Sequence, residues 1–213
     1  MPRARTTTES SGIPRISGGS AGDQTSGRVS AGRLLFAMVA VMWVVQAINS
    51  LDSQRLDDAG IRPRVLAGLD GVVFAPFLHA SFSHLIGNTV PFIVLGGTIA
   101  VTEGMRLAWV TVVVGLVAGL GTWLIAPDGV TTVGASGVVF GYATYLISRG
   151  LLSRRFVQLA IGVAVGVVFG LTLLYSLIPR SGVSWQDHLF GAIGGVLAAR
   201  ANRVISTFDR SAR

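Results

Sequence analysis

Apolar residues gather along this chain in six long runs separated by polar breaks. The runs extend from about Leu34 to Leu51, His84 to Val101, Leu107 to Ala126, Gly134 to Ser148, Phe156 to Ile178, and His188 to Val204. A helix needs roughly 17–25 residues to cross a hydrocarbon core, so the pattern predicts six membrane helices, the fourth of them short. Gly and Pro inside the runs, Pro91 for instance, are tolerated in lipid because neighbouring helices re-satisfy the backbone. Residues 1–32, rich in Ser, Thr, Gly and Arg and without apolar periodicity, read as a disordered cytoplasmic tail. They lack the apolar stretch of a secretory signal peptide. Residues 33–205 form the six-helix domain, and 206–213 form a short second tail. Between the first two runs, 52–83 is long, balanced in charge and partly apolar (Val72, Val73, Phe74, Phe77, Leu78), which suits a loop lying in the membrane interface.

Composition supports a polytopic membrane protein. The 213 residues are 51% hydrophobic and 13% charged, about half the charged share of a soluble domain. Cysteine is absent, which excludes disulfides, a cysteine nucleophile and thiolate-bound metal. The 17 basic residues are all arginine and give a net charge of +7. Nucleic-acid binding would need them clustered on one face with aromatics; here they sit at helix ends, so topology explains them better. With the N-terminus inside, only Arg55, Arg62, Arg64 and Arg180 fall outside. The positive-inside rule then places both termini in the cytoplasm.

Small residues recur at helical spacing in Gly115-x3-Gly119, Gly137-x3-Gly141, Gly162-x3-Gly166-x3-Gly170 and Gly191-x3-Gly195. Such rows let helix backbones approach closely and imply a tight bundle.

Helix parity gathers the polar side chains. Runs two, four and six all start at the outer face, so His84 with Asn88, Ser136 and His188 share one depth. Polar groups at membrane depth are costly and usually functional. His84 and Asn88, four apart, lie on one helix face and can both donate hydrogen bonds to one point. That suits an oxyanion. A zinc site would want a third ligand or a His-Glu-x-x-His helix, and neither exists, so no metal or cofactor is expected. Ser136 and His188 supply a nucleophile and a general base. The early backbone N–H groups of the fourth helix, Ser136's included, are orphans facing outward and could add to the oxyanion site. Asp187 adjoins His188, but neighbouring helical residues point about 100° apart. A Ser–His dyad is therefore expected, with Asp187 as a helix N-terminal charge. The G-x-S-x-G elbow is not met, because Val138 holds its last position. His79, ahead of its helix, reads as a structural hydrogen-bonder.

In Gly134-Ala135-Ser136-Gly137, His79-x4-His84-x3-Asn88 and His188-x2-Gly191-x3-Gly195 the chain resembles the rhomboid family of intramembrane serine proteases. The resemblance covers most of 34–204. It implies a six-helix rhomboid-like bundle with Ser136 as nucleophile, His188 as base, and His84 and Asn88 with main-chain N–H groups as the oxyanion site. Gly137 and Gly141 would then pack closely against Gly191 and Gly195. Rhomboids often carry a Tyr four residues after the serine, stacked on the imidazole. Phe140 keeps the ring and loses the hydroxyl. The family's Trp-Arg pair in the first outer loop is absent; Gly60-Ile61-Arg62-Pro63-Arg64 stands in that region.

The expectation is an endopeptidase of a bacterial cytoplasmic membrane that cleaves membrane-protein substrates near the outer face. A catalytically silent rhomboid-like client-binding protein would usually lack the serine or histidine, and both are present. A small transporter would need ionisable residues deep in the bundle and paired half-helices, and the sequence has neither.

Overall fold

The computed structural model describes residues 21–153 and 155–211, and the side chains of 22–153 and 155–203. Its helices are α1 (Ala21–Leu51), α2 (Gly71–Phe74), α3 (Phe82–Glu103), α4 (Arg106–Ile125), α5 (Ser136–Leu152), α6 (Phe156–Ser176) and α7 (Trp185–Ser211). All but the single-turn α2 correspond to the apolar runs. Among the described residues, Gly22–Leu51, α3, α4 and α6 are each long and apolar enough to cross a membrane. The chain is an all-α, multi-pass membrane protein. α5 is shorter, at 17 residues, and central. Its Tyr142, Ala143, Tyr145 and Leu146 have no exposed surface, so the other helices, rather than lipid, form its environment.

Two boundaries differ from the sequence reading. α1 begins at Ala21, so residues 21–32 of the expected tail are helical; residues 1–20 lie outside the described residues. Extending an existing helix costs little once the membrane segment has nucleated it, and Ala31 on this extension is wholly buried. At the other end α7 continues through Ser211, past the expected boundary at 205.

Contact between α5 and α7 is made backbone to backbone. A Cβ on Gly191 would stand 2.1 Å from the Gly137 carbonyl oxygen, and one on Gly195 would stand 2.1 Å from that of Gly141. Gly141 also faces Val114 of α4, whose Cγ1 would lie 2.1 Å from an added Cβ. Thr144 Oγ1 donates across to the Ala192 carbonyl at 2.8 Å. The row on α6 behaves differently from expectation. Gly162 packs on Gly150, but added Cβ atoms at Gly166 and Gly170, like one at Gly115 on α4, would meet nothing within 4 Å. Only the N-terminal half of α6 closes on α5, and a cavity adjoins the C-terminal half.

Opposite that cavity, the Glu103 side chain is 2% exposed and forms ion pairs with Arg149 at 3.2 Å and Arg106 at 3.6 Å. It also accepts from Tyr145 Oη at 2.7 Å, and Tyr145 accepts from Asn202 Nδ2 at 2.8 Å. This buried network joins α3, α5 and α7. The Glu103–Arg106 pair, three residues apart, is thus part of a larger cluster. Removing one partner from a buried cluster leaves a charge uncompensated.

The connection between α1 and α3 is stitched to the segment before Ser136. Ile61 and Thr132 exchange hydrogen bonds of 2.9 and 3.0 Å, and Gly134 N–H donates to the Ala75 carbonyl at 2.9 Å. Arg64 pairs with Asp128, and Trp123 Nε1 donates to the Val65 carbonyl at 2.9 Å. The Gly60–Arg64 stretch therefore anchors the loop by backbone pairing, with no tryptophan in it.

These contacts predict a sharp contrast between glycines. Gly195→Ala should destabilise the protein by about 1–3 kcal/mol through overpacking, and Gly166→Ala should leave stability unchanged or slightly raised. Thermal unfolding in detergent would check both; equal effects would contradict the α5–α7 contact.

Candidate active site

The end of the bundle where α3, α5 and α7 begin holds a cavity of about 560 Å³. Its lining includes His84 and Asn88 from α3, Ser136 and Phe140 from α5, Ser176 from the end of α6, and His188 from α7. Helix parity brings these side chains to one place, as the sequence pattern suggested. Local features fix each one. Ser81 caps α3, accepting from the His84 N–H at 3.1 Å, which sets the register of His84 and Asn88. Gly134 has φ +124°, a conformation natural only to glycine. A Cβ there would also lie 2.7 Å from His84 Cε1, so the bare glycine leaves room for the imidazole beside the start of α5.

His188 is held on two sides. Its ring stacks on Phe140, with centroids 4.2 Å apart and planes 6° from parallel. Its Nδ1 lies 2.9 Å from the Ser176 carbonyl oxygen. A carbonyl can only accept, so Nδ1 carries the proton and donates, leaving Nε2 with a free lone pair. In many serine hydrolases a carboxylate orients the histidine in this way; here a backbone carbonyl does so.

Ser136 Oγ donates to Asp187 Oδ2 at 3.3 Å, and no hydrogen bond joins it to His188 among the described residues. Asp187 is buried, 6% exposed, against the start of α5, where its carboxylate faces the Gly137 backbone. Asp187 does stand in the first turn of α7, as the sequence pattern expects, and it also reaches across to the start of α5. α5 has no side-chain cap of its own, and the carboxylate of α7 serves as one. Sequence reasoning missed this because an acceptor from another helix leaves no local pattern.

Of the other donors at the start of α5, Gly134 N–H goes to Ala75, Ala135 N–H goes to His79 Nε2 at 3.4 Å, and Gly137 faces Asp187. The Ser136 N–H has no acceptor among the described residues. Asn88 Nδ2 is likewise buried without one. An unpaired buried donor costs about 1–3 kcal/mol, so Asn88 Nδ2, with the Ser136 N–H beside the same cavity, marks a place suited to receive an acceptor. Among the described residues, no group of three or more His, Asp or Glu side chains is placed to hold a metal ion.

His79 is wholly buried and stands edge-on to His84, with centroids 5.2 Å apart. Burial, with the neighbouring His84 adding to it, pushes its pKa down to about 4. Its ring is therefore neutral and able to accept from Ala135.

The arrangement defines a class: a multi-pass helical membrane protein with a serine, a fixed imidazole and vacant hydrogen-bond donors around a cavity at one end of the bundle. A family model described as a rhomboid domain matches residues 67–203. An uncharacterised protein of Mycobacterium tuberculosis is 40% identical over 193 residues, covering 87% of this chain and 79% of that one. One from Mycobacterium leprae is 40% identical over 176 residues, 79% of this chain and 70% of the other. The "Putative rhomboid protease YdcA" of Bacillus subtilis is 26% identical over 167 residues, 76% of this chain and 83% of its own. The chain belongs to the rhomboid family.

Two outcomes follow from the geometry. Asp187→Ala should lower stability by about 1–2 kcal/mol, as loss of a helix cap does, with Asp187→Asn recovering part of it in the same melting assay. His79 sets a pH dependence. Its folded pKa lies below the unfolded value of about 6.5, so its contribution is intact above pH 6.5 and is lost as pH falls toward 4. His79→Gln should flatten that part of the profile of melting temperature against pH; an unaltered profile would refute the assignment.

Proposed function

We propose that this protein is an intramembrane serine endopeptidase acting through a Ser136–His188 dyad. The observation that carries the proposal is the convergence of Ser136, the doubly held His188 and two unpartnered donors, Asn88 Nδ2 and the Ser136 N–H, on one cavity.

In the resting arrangement the Ser136 hydroxyl donates to Asp187. Rotation about its Cα–Cβ bond hands that hydrogen bond to His188 Nε2. Ser136 Oγ then attacks the substrate carbonyl while its proton passes to Nε2. The carbonyl oxygen becomes an oxyanion, met by the Ser136 N–H, Asn88 and His84. Preorganised donors of this kind are usually the largest single catalytic contribution. Collapse breaks the C–N bond, and the proton on Nε2 goes to the leaving amine. Water from the outer face, deprotonated by His188, then hydrolyses the acyl-enzyme and regenerates the serine. Phe140 keeps the imidazole plane fixed throughout.

The substrates are transmembrane segments of other proteins. An intact helix hides its carbonyls in intrahelical bonds, so segments with Gly, Pro or small residues near the cut are favoured. The arginine distribution supports an orientation with both termini in the cytoplasm of a bacterium, which puts the cavity at the outer face of the cell membrane.

Reconstitution with a model transmembrane substrate tests this reading. The parent protein should cleave it, and Ser136→Ala and His188→Ala should each abolish cleavage. Asn88→Ala should lower kcat/KM by about 10²–10³-fold. Cleavage by Ser136→Ala at the parent rate would refute the proposal.

A further inference from the structure

Arg180 lines the same cavity as Ser136 and His188, and the catalytic scheme makes no use of it. It lies between α6 and α7, on the outer rim. Its guanidinium sits 4.2 Å from the centroid of the Tyr175 ring, and stacking of this kind restrains an otherwise mobile side chain. Its backbone is fixed as well. Arg180 and Val183 form an isolated antiparallel bridge, closed by a turn in which Gly182 takes φ +74°.

The electrostatics around it are one-sided. No Asp or Glu lines the cavity; its titratable groups are His84, His188 and Arg180 itself. Among the described residues, every ion pair involves other arginines, namely Arg55, Arg64, Arg106 and Arg149. A positioned cation with no counter-charge among the described residues, at the mouth of the cavity, favours an anionic group on whatever occupies that cavity.

We propose that Arg180 is a specificity residue selecting substrates with an acidic side chain close to the scissile bond, on the side where the segment leaves the membrane. The inference rests on the protease reading above and names a substrate class for it. Because Arg180 precedes α7 by only a short turn, a carboxylate paired with it lies within a few residues of a peptide bond held at Ser136. The pair also helps draw the outer end of the segment into the cavity.

The test uses full-length protein in phosphatidylcholine vesicles, which are zwitterionic and do not compete for the cation. Transmembrane peptides carry Asp or Asn at each of the first few positions outside the membrane. At one or more of these positions the Asp peptide should show kcat/KM about fivefold above its Asn partner, the scale of a solvent-accessible ion pair. The preference should shrink as salt rises. Arg180→Gln should cleave the two peptides equally, and Arg180→Glu should turn the preference toward Lys. Equal cleavage of Asp and Asn peptides by the parent at every position would overturn the inference and leave the protease reading standing, as would a preference that survives in Arg180→Gln. No cleavage of any peptide by the parent would overturn both.

Discussion

Everything at the polar end of this molecule depends on how closely α5 and α7 approach. Glycine stands where the backbones meet, at 137, 141, 191 and 195, and a single methyl group at Gly191 or Gly195 would push into a carbonyl oxygen on the other helix. That proximity lets Asp187 of α7 cap the start of α5, and it puts the His188 ring flat against Phe140. The packing glycines and the polar residues of the cavity lie along the same two helices. In a membrane, where lipid is as apolar as the side chains it would replace, such close packing takes over the role of hydrophobic burial.

The site itself runs against stability. Among the described residues two donors, Asn88 Nδ2 and the Ser136 N–H, stand without acceptors beside the cavity, a cost that the surrounding structure offsets. The backbone pairing of Ile61 with Thr132 and of Gly134 with Ala75 clamps the segment ahead of Ser136, and the Glu103 cluster secures the far end of the bundle. A rigid frame with vacancies at one end is what electrostatic preorganisation requires.

Much of this could be read from the chain. Apolar runs locate helices, and alternation of direction places His84, Asn88, Ser136 and His188 at one end. The glycine spacings point to the α5–α7 seam, although the equally regular row on α6 does not mark a contact beyond Gly162. What stayed hidden has a common cause. The Ser176 carbonyl that holds His188 is a backbone atom, present at every position and so without a signature. Asp187 acts on another helix, and the connection between α1 and α3 is tied down by main-chain pairing, where glycines such as Gly60, Gly71 and Gly134 are the sole hint of close approach. The helical residues 21–32 have no apolar period, because their helicity is inherited from the membrane segment that follows them.

The central claim is that Ser136 is a nucleophile activated by His188. Treating the purified protein with a fluorophosphonate and mapping the adduct by peptide mass measures this directly. A single adduct on Ser136, absent from both Ser136→Ala and His188→Ala, is the predicted result. No adduct on Ser136, or equal labelling of His188→Ala and the parent, would contradict it.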